Sequence, residues 1–153
     1  MLMKKYLALL MLLVTISGCK KEQTDYTETD KKIILDYIAS HNLTNVKSTP
    51  SGMYYVIEKE GTAVHPDLYS TVIADYTGRL ANDTIFETTE GNNPKSFSLS
   101  GVIQGWQIGI PLLGRGGKAK LLIPSSLGYG SQAQYGIPKY SVLIFDISLI
   151  DFY

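Results

Sequence analysis

The sequence predicts an α+β domain: an antiparallel sheet with one buried side, a short helix set against it, and a second short helix ahead of both. Three observations carry this. Tracts rich in tyrosine and β-branched residues follow one another from residue 53 onward, bounded by glycine, proline and serine. Ile103, Trp106 and Ile110 recur at offsets of three and four, which places them on one helical face. Ile33, Ile34, Tyr37 and Ile38 show the same period earlier in the chain.

The first residues have a different purpose. Lys4 and Lys5 precede an apolar run over residues 6–16, too short to span a bilayer comfortably and laid out as a secretory signal. The run ends in Ile16-Ser17-Gly18-Cys19, which resembles a bacterial lipobox, and Cys19 is the only cysteine of the chain. Residues 1–18 are therefore expected to be a signal peptide, with Cys19 lipidated and anchored in a lipid membrane. Several acyl chains at about 0.8 kcal/mol per buried methylene make such attachment close to permanent. No intrachain disulfide can form, and roughly 135 residues remain for one domain with one core. Residues 19–29 carry almost nothing to bury and read as the lipidated cysteine and a flexible tether.

A helix is expected over residues 30–41, with Thr29 or Asp30 as N-cap and Asn42 as its stop, and residues 30–49 form this helix and a linker. Residues 50–153 form the main domain. Its strands are expected over residues 53–58, 71–80, 96–99, 118–124 and 142–152, the last with Leu143, Phe145, Ile147 and Leu149 on one face and Asp146 and Ser148 on the other. The segment 102–113 fits a short helix that Pro111 ends. The Gly114-Arg115-Gly116-Gly117 run lacks the Gly-Lys-Ser ending of a phosphate loop and reads as a turn into the Lys118 strand. Residues 131–140 are too few to hold an inserted second domain.

Lysine plus arginine equals aspartate plus glutamate, so the formal charge is zero and no basic footprint for nucleic acid exists. His41 and His65, the only histidines, have no metal-ligand spacing to each other or to Cys19, so neither a zinc site, another cofactor, nor a Ser-His-Asp arrangement is expected. A chain without nucleophile, metal or histidine base can still lower a barrier in which no bond breaks. Rotation about a peptide C–N bond is such a reaction, with a barrier of about 18–20 kcal/mol.

Between roughly residues 51 and 151 the chain carries, in order, Asp75-Tyr76-Thr77-Gly78 followed by Phe86, the stretch 94–99, Val102-Ile103-Gln104-Gly105-Trp106, Gly117-Lys118-Ala119-Lys120 leading to Ile123-Pro124, Leu127-Gly128-Tyr129-Gly130, Gly136-Ile137-Pro138, and Leu143-Ile144-Phe145-Asp146-Ile147. In these pieces and their order it resembles the FKBP family of peptidyl-prolyl isomerases. The resemblance implies a half-open antiparallel sheet wrapped around a short helix. It implies a pocket floored by Trp106 and walled by Tyr76, Phe86, Phe97, Val102, Ile103, Tyr129, Ile137 and Phe145. Catalytic weight would fall on Tyr76, Glu87, Ile103, Trp106 and Tyr129, with the Ile103 N–H and the Tyr129 hydroxyl holding substrate carbonyls.

Two positions depart from the family's pattern. Glu87 stands where an aspartate is common, one methylene longer and costlier to fix. Lys95 stands after Pro94 where an aromatic wall is often found. Both favour a second reading, a module that binds without accelerating rotation. The implied partners are proline-containing, unfolded or partly folded exported proteins, with macrolide-type inhibitors as further ligands of the same cup. The implied place is the cell envelope. Lys20 after Cys19 is not the aspartate that signals inner-membrane retention in some bacteria, which favours the outer membrane. The N-terminal helix could pair between copies, but packing on its own domain is the simpler outcome.

Overall fold

The computed structural model describes residues 25–90 and 93–153. The expected signal segment, Cys19 and most of the tether lie outside the described residues. Helix α1 (Thr27–Ser40) is followed by β1 (Lys47–Ser48), β2 (Tyr54–Lys59), β3 (Thr71–Leu80), β4 (Ile85–Thr88), β5 (Lys95–Ser98), α2 (Gln104–Gly109), β6 (Lys118–Ile123) and β7 (Leu143–Phe152). Single 3-10 turns occupy Leu99–Gly101, Ile110–Leu112 and Ser125–Leu127. The strands form one antiparallel sheet in the order β1-β2-β6-β7-β3-β4. β5 pairs with Thr71 to Ala74 of β3 while β4 pairs with Thr77 to Arg79, so both short strands pair with β3.

Strand alternation sets the core. Val72, Ala74 and Tyr76 of β3 point inward with Leu143, Phe145, Ile147 and Leu149 of β7. The register shifts where Ile73 faces Asp151 and Ala74 faces Leu149, which leaves Ile150 as an extra, exposed residue and returns Phe152 to the buried face.

Three expectations need correction. The sheet is not buried on one side alone: Leu122, Val142 and Ile144, on the face opposite Leu121, Leu143 and Phe145, are covered by Ile34 and Tyr37 of α1. The apolar face of α1 is thus occupied by its own domain. Helix α1 also begins at Thr27, inside the expected tether, and neither Thr29 nor Asp30 caps it. Asp25 accepts a hydrogen bond from the Thr27 N–H at 3.0 Å, while Asp30 is drawn inward to Ser125, because burying its carboxylate there satisfies two donors. Finally, β1 and β4 were not expected. β1 is only two residues long and exposed, so it has no readable alternation; through it residues 47–48 join the sheet rather than a linker.

The other end of α1 stops as its sequence dictates. Asn42 takes a left-handed φ of 52°, its N–H donates to Ala39 O at 3.2 Å, and the Leu43 N–H donates to Ile38 O at 3.0 Å. These are the two bonds of a Schellman end.

Ile34 is fully buried and Leu35 is 44% exposed on the same helix. Ile34→Ala is expected to lower the unfolding free energy by about 3 kcal/mol in urea titrations, whereas Leu35→Ala should stay within about 0.5 kcal/mol. Equal effects would mean that α1 does not dock on the sheet.

Candidate functional site

Helix α2 owes its depth to two glycines. A Cβ at Gly105 would lie 2.5 Å from Ile123, and one at Gly109 would overlap Leu121, so the helix lies directly on β6. Ile103, extended at φ −59° and ψ 150°, starts the helix by accepting from the N–H groups of Trp106 and Gln107. Its own N–H donates to no backbone carbonyl among the described residues. This arrangement sets the Trp106 indole, 4% exposed, beneath three other rings. Tyr76 meets it at 5.0 Å and 88°, Phe97 at 5.4 Å and 78°, and Phe145 at 5.3 Å and 82°. All three are edge-to-face geometries.

A cavity of about 80 Å³ opens among these four rings, with Glu87, Val102, Ile103 and Tyr129 completing its lining. The structure therefore brings together eight of the ten residues expected at the pocket. Phe86 and Ile137 are not among those lining it. Phe86 backs Phe145 at 5.6 Å and 81°, packed where a Cβ on Gly78 would stand. Ile137, 5% exposed, is a core residue. Phe86 packs on the wall residue Phe145, and Ile137 belongs to the same buried core, bridged by its backbone to Gln134.

The polar side of the cavity is a three-residue relay. Lys95 Nζ donates to Glu87 Oε1 at 2.7 Å while standing 5.9 Å from the centre of the Tyr76 ring, and the Tyr76 hydroxyl and Glu87 carboxylate are close enough for each to shift the other's titration. Burial pushes the Tyr76 hydroxyl up, helped by the hydrogen bond and charge of Glu87. Burial pulls Glu87 upward as well, but its bonds to Lys95 and Tyr76 outweigh this and hold the carboxyl below its usual range. Tyr129 is raised by burial first and by the Glu87 charge second. The extra methylene of Glu87 thus reaches the lysine at the unusual rim position, which pairs with it.

One residue escaped sequence reasoning. Thr89, 1% exposed, accepts from the Tyr76 N–H at 2.9 Å through Oγ1, donates that hydroxyl to Asp75 Oδ1 at 3.0 Å, and gives its own N–H to Tyr76 O at 2.9 Å. It pins the backbone of Tyr76, and nothing in a lone threonine signals that. The histidines stand apart from the cavity: His41 Nε2 lies 3.2 Å from Asp83 and His65 Nδ1 lies 2.9 Å from Pro111 O. No cluster of three or more metal-binding side chains occurs among the described residues.

Residues 62–150, which contain the whole cavity lining, match the family model for the FKBP-type peptidyl-prolyl cis-trans isomerase. The chain belongs to this family. It is 37% identical over 131 residues to the FKBP-type isomerase FkpA of Aeromonas hydrophila, covering 85% of this chain and 49% of that protein. It is 40% identical over 108 residues to FkpA of Escherichia coli K12, covering 69% of this chain and 40% of that one. The chain thus spans less than half the length of these curated relatives. Among solved structures, E. coli FkpA superposes with a TM-score of 0.72 at 34% identity, covering 82% of this chain and 62% of that one. A peptidyl-prolyl isomerase from Pseudomonas syringae pv. tomato gives 0.70 at 30% identity, with 82% and 95% covered. The half-open FKBP-like sheet around a short helix is the fold observed, and it is α+β.

Because the folded state lowers the Glu87 pKa, the relay's contribution to stability is fully present above the unfolded-state value of about 4.3. It is lost as the pH falls through the lowered folded value. Glu87→Gln is expected to reduce the slope of stability against pH below about pH 4, read by thermal melts at low salt. Parallel curves for the two proteins would show that the relay is not formed.

Proposed function

We propose that this chain accelerates rotation about Xaa-Pro bonds by taking the prolyl ring onto the Trp106 indole inside the aromatic cup. The observation that carries the reading is the open cavity over a nearly buried indole, walled by three rings set edge-on. A planar amide is more polar than a twisted one, since twisting removes resonance and part of the carbonyl dipole. A water-poor apolar cup therefore favours the twisted form. A ten-thousandfold gain requires about 5.5 kcal/mol of preference for the transition state. In this reading the Ile103 N–H and the Tyr129 hydroxyl take substrate carbonyls and Tyr76 and Glu87 form the polar wall, which the presence of all four in the cavity lining supports.

A second reading, a holding module of the same fold, is favoured by one observation. The Glu87 carboxylate is already engaged by Lys95 and Tyr76. Exchange kinetics of a Xaa-Pro peptide separate the two. Wild type is expected to accelerate exchange, Trp106→Leu to lose at least about tenfold in kcat/KM by removing the floor, and Tyr76→Phe to lose less than that, as one hydrogen bond of about 1 kcal/mol is removed. A silent wild type that gains rate on Glu87→Asp would favour the holding module.

We further propose that the chain is exported and anchored in the cell envelope through acylated Cys19, on the outer membrane. There it would serve proline-containing, unfolded or partly folded exported proteins, with macrolide-type inhibitors competing for the cup. Support comes from Lys4-Lys5, the apolar run and Ile16-Ser17-Gly18-Cys19. Cys19→Ser is expected to move the protein from the detergent phase to the aqueous phase on Triton X-114 partitioning and to abolish labelling by radioactive palmitate. Unchanged partitioning and labelling would refute lipidation at this residue.

A further inference from the structure

Asp30 of α1 is turned inward, at 2% exposure, unlike Glu28 and Asp36 on the same helix. Its Oδ2 accepts from the Ser125 N–H at 2.8 Å and from the Ser125 hydroxyl at 2.7 Å, across 95 residues of sequence. Ser125, also 2% exposed, passes the constraint on. Its carbonyl accepts from the Gly128 N–H at 3.1 Å and the Gly130 N–H at 2.9 Å, the residues on either side of Tyr129. The Gly130 carbonyl in turn accepts from the Tyr140 N–H at 2.7 Å, and the Tyr140 ring stacks on Tyr26 at 3.9 Å and 12°. Tyr26 is the residue from which α1 starts. The first turn of α1 therefore grips one segment at two points, with the Tyr129 of the cavity between them.

Docking alone does not call for this. Ile34 and Tyr37 already bury α1 against the sheet, and a buried carboxylate is a poor source of net stability. What it supplies is direction, since two donors on one residue fix the turn in place. We propose that Asp30 is a positioning residue for the prolyl site, setting through Ser125 where the Tyr129 hydroxyl stands. The inference rests on the isomerase reading of the cup.

The test uses the full chain with Asp30→Ala, Asp30→Asn, Tyr129→Phe and the two double variants. Exchange kinetics are measured at a temperature where urea titration shows each protein folded, together with the ring ¹³C–¹H resonance of Tyr129 in tyrosine-labelled protein. Asp30→Ala is expected to lower kcat/KM about tenfold by misplacing the hydroxyl and to shift the Tyr129 resonance. Asp30→Asn, whose Oδ1 can accept both Ser125 bonds, restores most of the rate. In the Tyr129→Phe background Asp30→Ala costs little more, whereas its loss of stability persists. Losses that multiply in the double variant, or a Tyr129 resonance that stays in place, overturn the proposal. If Asp30→Ala does not fold, Tyr26→Ala is read by the same two measurements. A wild type without exchange activity removes the isomerase reading, and the resonance alone then decides whether Asp30 places Tyr129.

Discussion

Trp106 meets three neighbouring rings edge-to-face and still borders an open cavity, and the rest of the site follows from that geometry. Tyr76, Phe97 and Phe145 meet Trp106 at 78–88°, so their rings stand as walls. A parallel stack over the indole would have lidded it. Edge-to-face pairs are favourable in their own right, by about 0.5–1.5 kcal/mol beyond area burial, which stabilises an arrangement that leaves apolar surface open. The indole Nε1–H is buried without an acceptor among the described residues, at a cost of about 1–3 kcal/mol. A phenylalanine floor would avoid that cost but would be smaller and would meet fewer rings.

The polar wall obeys a different constraint. A lone carboxylate beside aromatic rings would be driven toward its neutral form by lost hydration. Here Lys95 supplies the opposite charge at 2.7 Å and Tyr76 a hydrogen bond, so Glu87 stays ionised and in one place. The two side chains at the positions that depart from the family pattern are both long, and each compensates for the other. Glu87 reaches farther than an aspartate would, and Lys95 is long enough to meet it from the neighbouring strand β5. Their exposure of 46% and 49% keeps the pair at the rim, where solvent weakens it.

Much of this was legible in the sequence because it is local or ordered. The 71–80 strand matched its observed bounds, and the 102–113 segment gave a helix placed by Trp106. The ordered motifs assembled eight of the cavity's ten expected residues. Phe86 and Ile137 fall outside the cavity lining, beside Phe145 and in the core, because a motif gives proximity to a site while the layer a side chain occupies depends on packing. The second buried face of the sheet was missed because Leu122 and Ile144 sit at the strands' outward positions, and only the docking of α1, far away in sequence, covers them. Asp30 was read as a cap for a similar reason: an acid at a helix start is ordinarily there for the backbone. No local pattern reveals a partner as distant as Ser125.

The two helices press on opposite faces of the same pair of strands. Leu121 and Ile123 of β6 lie toward α2, and Leu122 between them lies toward α1; Phe145 and Ile144 of β7 divide in the same way. Strands close-packed on both faces resist deformation and have few alternative packings. The floor of the cup therefore rests on the part of the sheet that is packed on both faces, which suits a site that must hold a geometry. The charged rim rests on β4 and β5, which are four residues each and both pair with β3. On the proposed isomerase reading, substitutions in the floor would act on the geometry that distinguishes a twisted amide from a planar one, and substitutions in the half-exposed rim on which peptides enter.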